Sequence, residues 1–175
     1  MRRKSVQESI LSLSRWLVPV LFVLPFLPDR FISFNYTGLI NDLRYRSLFF
    51  LCEVPCGIIE FLLLYQAGSG LIPHWGRQCL FSLCLMVLMV FTPYQKEEST
   101  LSSLHLMLAW CFMILLNWML FEIGWTHPEI RIPYLIGTFL AAMISLTCNS
   151  ICGLAEIVYA CIVNHLLRIL VSERT

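Results

Sequence analysis

Acidic and amide side chains lie inside long apolar stretches of this sequence, where a polar group needs a chemical reason. Glu53 and Glu60 stand in one stretch, seven residues apart and therefore on one face of a helix. Asn117 lies in the middle of another stretch, and Glu156 lies in the last one. Because an ionisable group inside a bilayer costs several kcal/mol unless it is paired or hydrated, these residues predict a polar pocket or a proton path. The alternative is structural: Glu60 would be neutral and would join neighbouring helices by hydrogen bonds.

His105 is the candidate catalytic residue. It lies at the start of an apolar stretch, two positions after Ser103 and three after Ser102. Together with Asp42, on the same side of a membrane, these residues would supply the nucleophile, base and carboxylate of a hydrolase. No motif accompanies this arrangement, so residue type and position alone make His105 a candidate.

A second candidate is the segment His74-Trp75-Gly76-Arg77, which Cys79 follows closely. An imidazole beside a thiol lowers the thiol pKa and produces a nucleophile, as in a cysteine peptidase. The Gly-Gly-x-His-Ala pattern of the six-span peptidases that mature quorum-sensing peptides is absent here. The alternative is an interface anchor, in which His74 and Trp75 lie among the lipid headgroups and Arg77 extends to water.

The eight cysteines include two pairs with the same spacing, Cys52 with Cys56 and Cys148 with Cys152. In a helix this spacing puts both sulfur atoms on one face, and four thiolates are enough to hold a metal ion. Their apolar surroundings favour the simpler interpretation, that they are small packing residues. The four histidines form no metal-binding motif. We therefore expect neither a metal nor a cofactor.

The composition places these residues in a membrane. Hydrophobic residues make up 58% of the 175 positions and charged residues 13%, whereas a soluble domain has about 45–50% and about 25%. The net charge of +1 is too balanced for a protein that binds nucleic acid. Membrane lipids are the expected partners, with another membrane protein or a second copy of the chain as further candidates. We expect a multi-pass protein of the cell membrane, or of an endomembrane if the host is eukaryotic.

The apolar stretches predict an all-α fold, a bundle of six transmembrane helices in a single domain of residues 1–175. A span needs about 20 apolar residues. The stretch from Pro133 to Leu170 is too long for one span, so we expect a turn near residues 148–153. Six spans take about 120 residues, which leaves no loop large enough for a soluble domain. The predicted spans are residues 12–31, 46–66, 79–93, 103–124, 133–148 and 152–170.

The basic residues predict that both termini are cytoplasmic. With the N-terminus inside, eight of the 12 basic residues fall on the cytoplasmic side and four on the outer side, as the positive-inside rule requires. The long first outer loop then carries the sequon Asn35-Tyr36-Thr37, whose glycosylation depends on the host. The inner basic residues are Arg2, Arg3, Lys4, Arg15, Arg77, Arg131, Arg168 and Arg174, and the outer ones are Arg30, Arg44, Arg46 and Lys96.

The loop between the third and fourth spans resembles a known superfamily. The third span ends in Val90-Phe91-Thr92-Pro93, a polar segment follows, and the fourth span opens with His105 and a small residue, Ala109, four positions later. Together with the six spans and the long first outer loop, this pattern is similar to the six-span group of damage-regulated autophagy modulators, GPI-anchor remodelling proteins and their uncharacterised bacterial relatives. The resemblance implies a lipid-linked or accessory membrane role, with His105 as the residue of interest.

Three functions remain open at this point. Short loops, an apolar surface and the lack of a catalytic motif favour a non-catalytic module that binds lipid or a partner membrane protein. An intramembrane enzyme that acts on a lipid or peptide would use His105, or His74 with Cys79. A small transporter or channel subunit would use the three glutamates Glu53, Glu60 and Glu156.

Overall fold

A computed structural model of the chain describes residues 2–27, 30–94 and 100–174. Positions 28–29 of the first predicted span, and the segment 95–99 with Lys96, lie outside the described residues. Within the described ranges all regular structure is helical. The helices are α1 (Arg2–Val23), which continues into a 3₁₀ turn (Leu24–Phe26), α2 (Tyr36–Asn41), α3 (Arg46–Gly68), α4 (Trp75–Phe91), α5 (Thr100–Thr126), α6 (Pro128–Thr147) and α7 (Gly153–Ser172).

Five helices are long and apolar enough to cross a membrane, namely α1, α3, α5, α6 and α7. This confirms the predicted all-α membrane bundle. The sixth apolar helix, α4, has 17 residues. At about 1.5 Å per residue it is about 25 Å long, slightly less than the roughly 30 Å of bilayer hydrocarbon. The chain is an integral membrane protein, and its described residues contain five helices long enough to cross a membrane and one shorter apolar helix.

Four helices begin earlier than the predicted spans, and the two largest differences, at α1 and α6, are explained by the local sequence. α1 starts at Arg2 rather than at residue 12, because no glycine or proline interrupts the helix before Pro19. α6 starts at Pro128 rather than at residue 133. Proline has no backbone N–H and a fixed φ, so it suits the first position of a helix.

The helices alternate in direction, and each end of the bundle gathers a different set of segments. One end carries α2, residues 92–94 and the turn between α6 and α7; we call it the α2 end. There the amide of Tyr94 donates to the side-chain oxygen of Asn41 over 3.1 Å. The other end carries both described chain ends; we call it the termini end. There the guanidinium of Arg174 donates to the carbonyl of Gln66 over 3.1 Å.

Burial is distributed unequally among the helices. α7 packs against α1, α3 and α6. Of the residues in its most apolar segment, 44% are buried inside the bundle. α5 packs against α4 and α6. Only 17% of the residues in its most apolar segment are buried. α7 is therefore the central helix, and α5 lies at the periphery with most of its surface free.

The side chain of Trp75 joins α3 to α4. Its ring is 2% exposed, and its Nε1–H donates to the carbonyl of Leu64 over 3.0 Å. A Cβ atom on Gly68 would lie 2.1 Å from the same ring, so only glycine permits this approach. Trp75 thus packs in the interior of the bundle, whereas the interface-anchor interpretation would place it among headgroups.

Candidate functional site

The α2 end holds several polar contacts between distant parts of the chain. The amides of Gly153 and Leu154 donate to the carbonyls of Phe34 and Phe31, over 2.7 Å and 2.9 Å. We call this contact between residues 31–35 and 151–154 the outer junction. It fixes the loop after α1 to the start of the central helix α7.

Asn35 belongs to the outer junction and also begins α2. Its side-chain oxygen accepts from the amide of Gly38 over 2.7 Å, which is the geometry of a helix N-cap. Its side-chain nitrogen donates to the carbonyl of Ile151 over 3.3 Å. The amide nitrogen that a glycan would need is therefore already engaged within the protein.

Glu156 fixes α2 in place. Its Oε2 atom accepts from the backbone amide of Tyr36, in the first turn of α2, over 2.7 Å. The hydroxyl of Tyr36 donates to the carbonyl of Phe22 on α1 over 3.4 Å. Glu156 therefore serves as a structural acceptor at the α2 end.

His105 is buried at the same end, with 3% of its surface exposed. Its Nδ1 atom lies 2.8 Å from the carbonyl of Thr92, and its Nε2 atom lies 3.3 Å from the hydroxyl of Thr37. Because a carbonyl can only accept, Nδ1 donates to Thr92. Both nitrogens of His105 thus contact neighbouring segments of the chain.

Asp42, the carboxylate considered with His105, is engaged elsewhere. It forms an ion pair with Arg44 over 2.8 Å at the exposed end of α2. The hydrogen bonds from Arg44 lower the pKa of Asp42. Asp42 and His105 thus have separate partners in the folded chain.

Asn117 is the centre of a second polar network, which joins three helices. Its side-chain oxygen accepts from the hydroxyls of Tyr134 on α6 and Tyr159 on α7, the latter over 3.1 Å. Its side-chain nitrogen donates to the carbonyl of Met113, one turn earlier on α5. Every polar atom of the Asn117 side chain is therefore used within the bundle.

Glu53 and Glu60 lie on the side of α3 that faces α7. Glu53 is within electrostatic range of Glu60 and Glu156, and Tyr159 is within range of Glu60. The Oε1 atoms of Glu53 and Glu60 are buried, and neither has a hydrogen-bond partner among the described residues. Asn117 and Glu156 therefore have hydrogen-bond partners inside the bundle, whereas these two oxygens have none among the described residues.

His74 and Cys79 lie in different environments. His74 is exposed just before α4, in the left-handed conformation with φ of 64°, and its Nδ1 contacts the guanidinium of Arg77. Cys79 is 6% exposed and belongs to the apolar core. The arrangement favours an Arg77–His74 contact at the termini end over an imidazole–thiol pair.

In the described part of the chain, one group of three side chains has the composition of a metal site. It consists of His127, Glu129 and Glu173 at the termini end. His127 and Glu129 already form a 2.8 Å contact, and both glutamates are exposed. The sequence did not indicate this group, because Glu173 is remote from the other two along the chain. The four cysteines of the paired motifs form no such group among the described residues.

The partners of the predicted polar residues were missed at the sequence level. Tyr36, Thr37, Tyr134 and Tyr159 complete the networks of Glu156, His105 and Asn117. The available signal was weak: tyrosine in an apolar helix needs a partner for its hydroxyl. Which partner it finds depends on helix neighbours that no motif specified.

These features define the class of the protein: an all-helical integral membrane protein with two internal polar networks. Comparison with family models, with curated proteins and with solved structures found no match. The resemblance to the six-span superfamily therefore remains a prediction from the sequence.

Proposed function

We propose that the protein is a non-catalytic membrane module that binds lipid along helix α5. One observation carries the proposal: α5 exposes a continuous row of large apolar side chains on one face. Their spacing of three or four residues keeps them in line along the helix. We call this row the α5 stripe; it consists of Met107, Trp110, Ile114, Trp118, Phe121 and Trp125, each between 44% and 68% exposed.

A cavity at the termini end of the stripe supports the proposal. It has a volume of about 270 Å³ and lies between α5 and the loop after α3. Trp118, Phe121 and Trp125 form one wall, and Glu122 adds a carboxylate. An acyl chain along the stripe would bring the polar part of a lipid to this wall, where tryptophans are frequent in membrane proteins.

The condition of the candidate catalytic residues also supports a non-catalytic role. Both nitrogens of His105 bind other parts of the chain, and so does Oε2 of Glu156. An acid–base catalyst must instead reach a proton of the substrate. These residues are better suited to holding α2 and the helix ends together.

Native mass spectrometry of the protein in mild detergent tests this proposal. We expect stoichiometric lipid on the wild type and on the control variant Trp16→Ala, whose exposed tryptophan lies on α1 outside the stripe. The double variant Trp118→Ala/Trp125→Ala should lose the lipid. A wild type without lipid would contradict the proposal. A second protein, or a second copy of the chain, that is lost from the double variant would assign the stripe to a partner helix instead.

A second candidate function is favoured by Glu53 and Glu60. Buried carboxyl oxygens without partners are costly in a membrane and are typical of proton pathways. In proteoliposomes with an internal pH-sensitive dye, proton flux should be lost in Glu60→Gln and retained in Glu122→Gln. The control is suitable because Glu122 lies at the termini end, where it accepts from Gln78 over 3.4 Å. A wild-type flux equal to that of empty liposomes would eliminate this function.

We propose in addition that the termini end faces the cytoplasm. The excess of basic residues near the chain ends supports this orientation. A membrane-impermeant maleimide should then label Cys148, at the α2 end, in intact cells. Labelling only after permeabilisation would reverse the orientation.

A further inference from the structure

A cavity of about 230 Å³ opens at the α2 end, between the start of α3 and the end of α4. Arg46, the first residue of α3, and Phe91, the last residue of α4, both line it; we call it the Arg46 cavity. Asn41 and Tyr94 form a further wall, where the amide of Tyr94 donates to the side-chain oxygen of Asn41 over 3.1 Å. The cavity therefore lies at the border of the apolar helices, at the depth of the headgroup region of a bilayer.

Aromatic rings position the guanidinium of Arg46 in this cavity. Its Cζ atom lies 5.9 Å from the centroid of the Phe50 ring, one turn later on α3. The Phe50 ring in turn stacks on Phe91 of α4, with 6.3 Å between the ring centroids. Phe91 is 69% exposed and lines the cavity together with Val90. The cavity thus joins a positive charge to an apolar wall that is open at the surface of the bundle.

Further positive charges lie beside Arg46. The guanidinium groups of Arg30 and Arg44 lie over the ring of Tyr45, the residue before Arg46, with their Cζ atoms 3.8 Å and 5.3 Å from its centroid. Arg44 forms an ion pair with Asp42 over 2.8 Å. Arg30 and Arg46 have no ion-pair partner in the part of the chain that the structure describes. Two uncompensated cations at one border of the helices favour the binding of an anion there.

We propose that the Arg46 cavity binds the phosphate group of an anionic phospholipid. A guanidinium is planar, and its fixed N–H donors match two oxygens of one phosphate group. The acyl chains of the same lipid would extend over Val90 and Phe91 into the bilayer. The cavity beside the α5 stripe lies at the opposite end of the bundle, so the Arg46 cavity is a further site that does not depend on lipid binding along α5.

Isothermal titration calorimetry of the full chain in an uncharged detergent tests the proposal. Short-chain phosphatidylglycerol should bind the wild type several-fold more tightly than short-chain phosphatidylcholine, whose choline group cancels the phosphate charge. Arg46→Gln should lose this difference. Arg15→Gln is the matched control, since Arg15 also lies over an aromatic ring, 5.1 Å from the Trp16 centroid, but on α1 and outside the Arg46 cavity. Arg15→Gln and the stripe variant Trp118→Ala/Trp125→Ala should both bind phosphatidylglycerol like the wild type.

Screening by salt tests the site in the wild type itself. Between about 0.1 M and about 1 M salt the Debye length falls from about 10 Å to about 3 Å, so the preference for phosphatidylglycerol should be lost at the higher concentration. Equal affinities for the two lipids at low salt, or a preference that persists in Arg46→Gln or at high salt, would overturn the proposal. Inorganic phosphate should bind far more weakly than the lipid, because it has no chain to contact Val90 and Phe91. Equally tight binding of inorganic phosphate would refute the lipid assignment in favour of a free phosphate.

Discussion

Replacing Asn117 by leucine decides whether this residue stabilises the bundle or belongs to a ligand pocket. The change removes the acceptor of two tyrosine hydroxyls, Tyr134 and Tyr159, while keeping a side chain of similar size. Hydrogen bonds between transmembrane helices contribute about 0.6 kcal/mol on average and about 1.7 kcal/mol at most. Loss of two bonds should therefore lower the free energy of unfolding by about 1–3 kcal/mol.

Thermal unfolding in mild detergent measures this loss. For a chain of this size, each kcal/mol corresponds to about 2–4 °C in Tm, so Asn117→Leu should lower Tm by at least about 2 °C. Tyr159→Phe removes one bond and should have a smaller effect. Because the two residues share that bond, the double variant should be less destabilised than the sum of the single variants.

Tyr65→Phe is the matched control, since the Tyr65 side chain on α3 is 49% exposed. Its Tm should equal that of the wild type. If Asn117→Leu melts at the wild-type temperature and its effect adds independently to that of Tyr159→Phe, the network does not stabilise the bundle. The structural interpretation of Asn117 would then be refuted.

Three further predictions concern the α2 end. Gly153→Ala should destabilise the protein by about 1–3 kcal/mol, because the added Cβ atom would lie 2.2 Å from the ring of the fully buried Phe26. Chemical unfolding measures this loss. The control Gly57→Ala, whose added Cβ atom would have its nearest neighbour at 3.7 Å, should be neutral or slightly stabilising. Asn35→Ala should cost about 1 kcal/mol through the lost N-cap and should accelerate amide exchange of Gly38. In a host that glycosylates proteins, wild-type Asn35 should remain unmodified, and a glycosidase-sensitive change in mobility would contradict its engagement at the outer junction.

Periodicity and composition were sufficient for the fold class but not for the contacts within it. The apolar stretches predicted the membrane bundle, and the i,i+7 spacing placed Glu53 and Glu60 on one face of α3. The burial of Trp75 could not be predicted from composition. A helix face that packs on another helix and a face that contacts lipid are equally apolar. The burial of Trp75, its hydrogen bond to Leu64 and its approach to Gly68 distinguish the two cases. The helix α2 was missed because six residues carry little periodicity, although Asn35 is a typical N-cap residue.

The intramembrane polar residues separate into two groups when their partners are considered. Asn117 and Glu156 have their partners inside the protein, so their polarity is explained by helix packing alone. Glu53 and Glu60 keep buried oxygens without partners in the described chain, and burial of such a group costs free energy that packing does not return. Five amide or hydroxyl oxygens are likewise buried without a partner among the described residues, but of the carboxyl groups only Glu53 and Glu60 are in this state. We therefore propose that any proton-linked function lies at Glu53 and Glu60, and that the α5 stripe, on a helix that does not carry them, binds lipid separately.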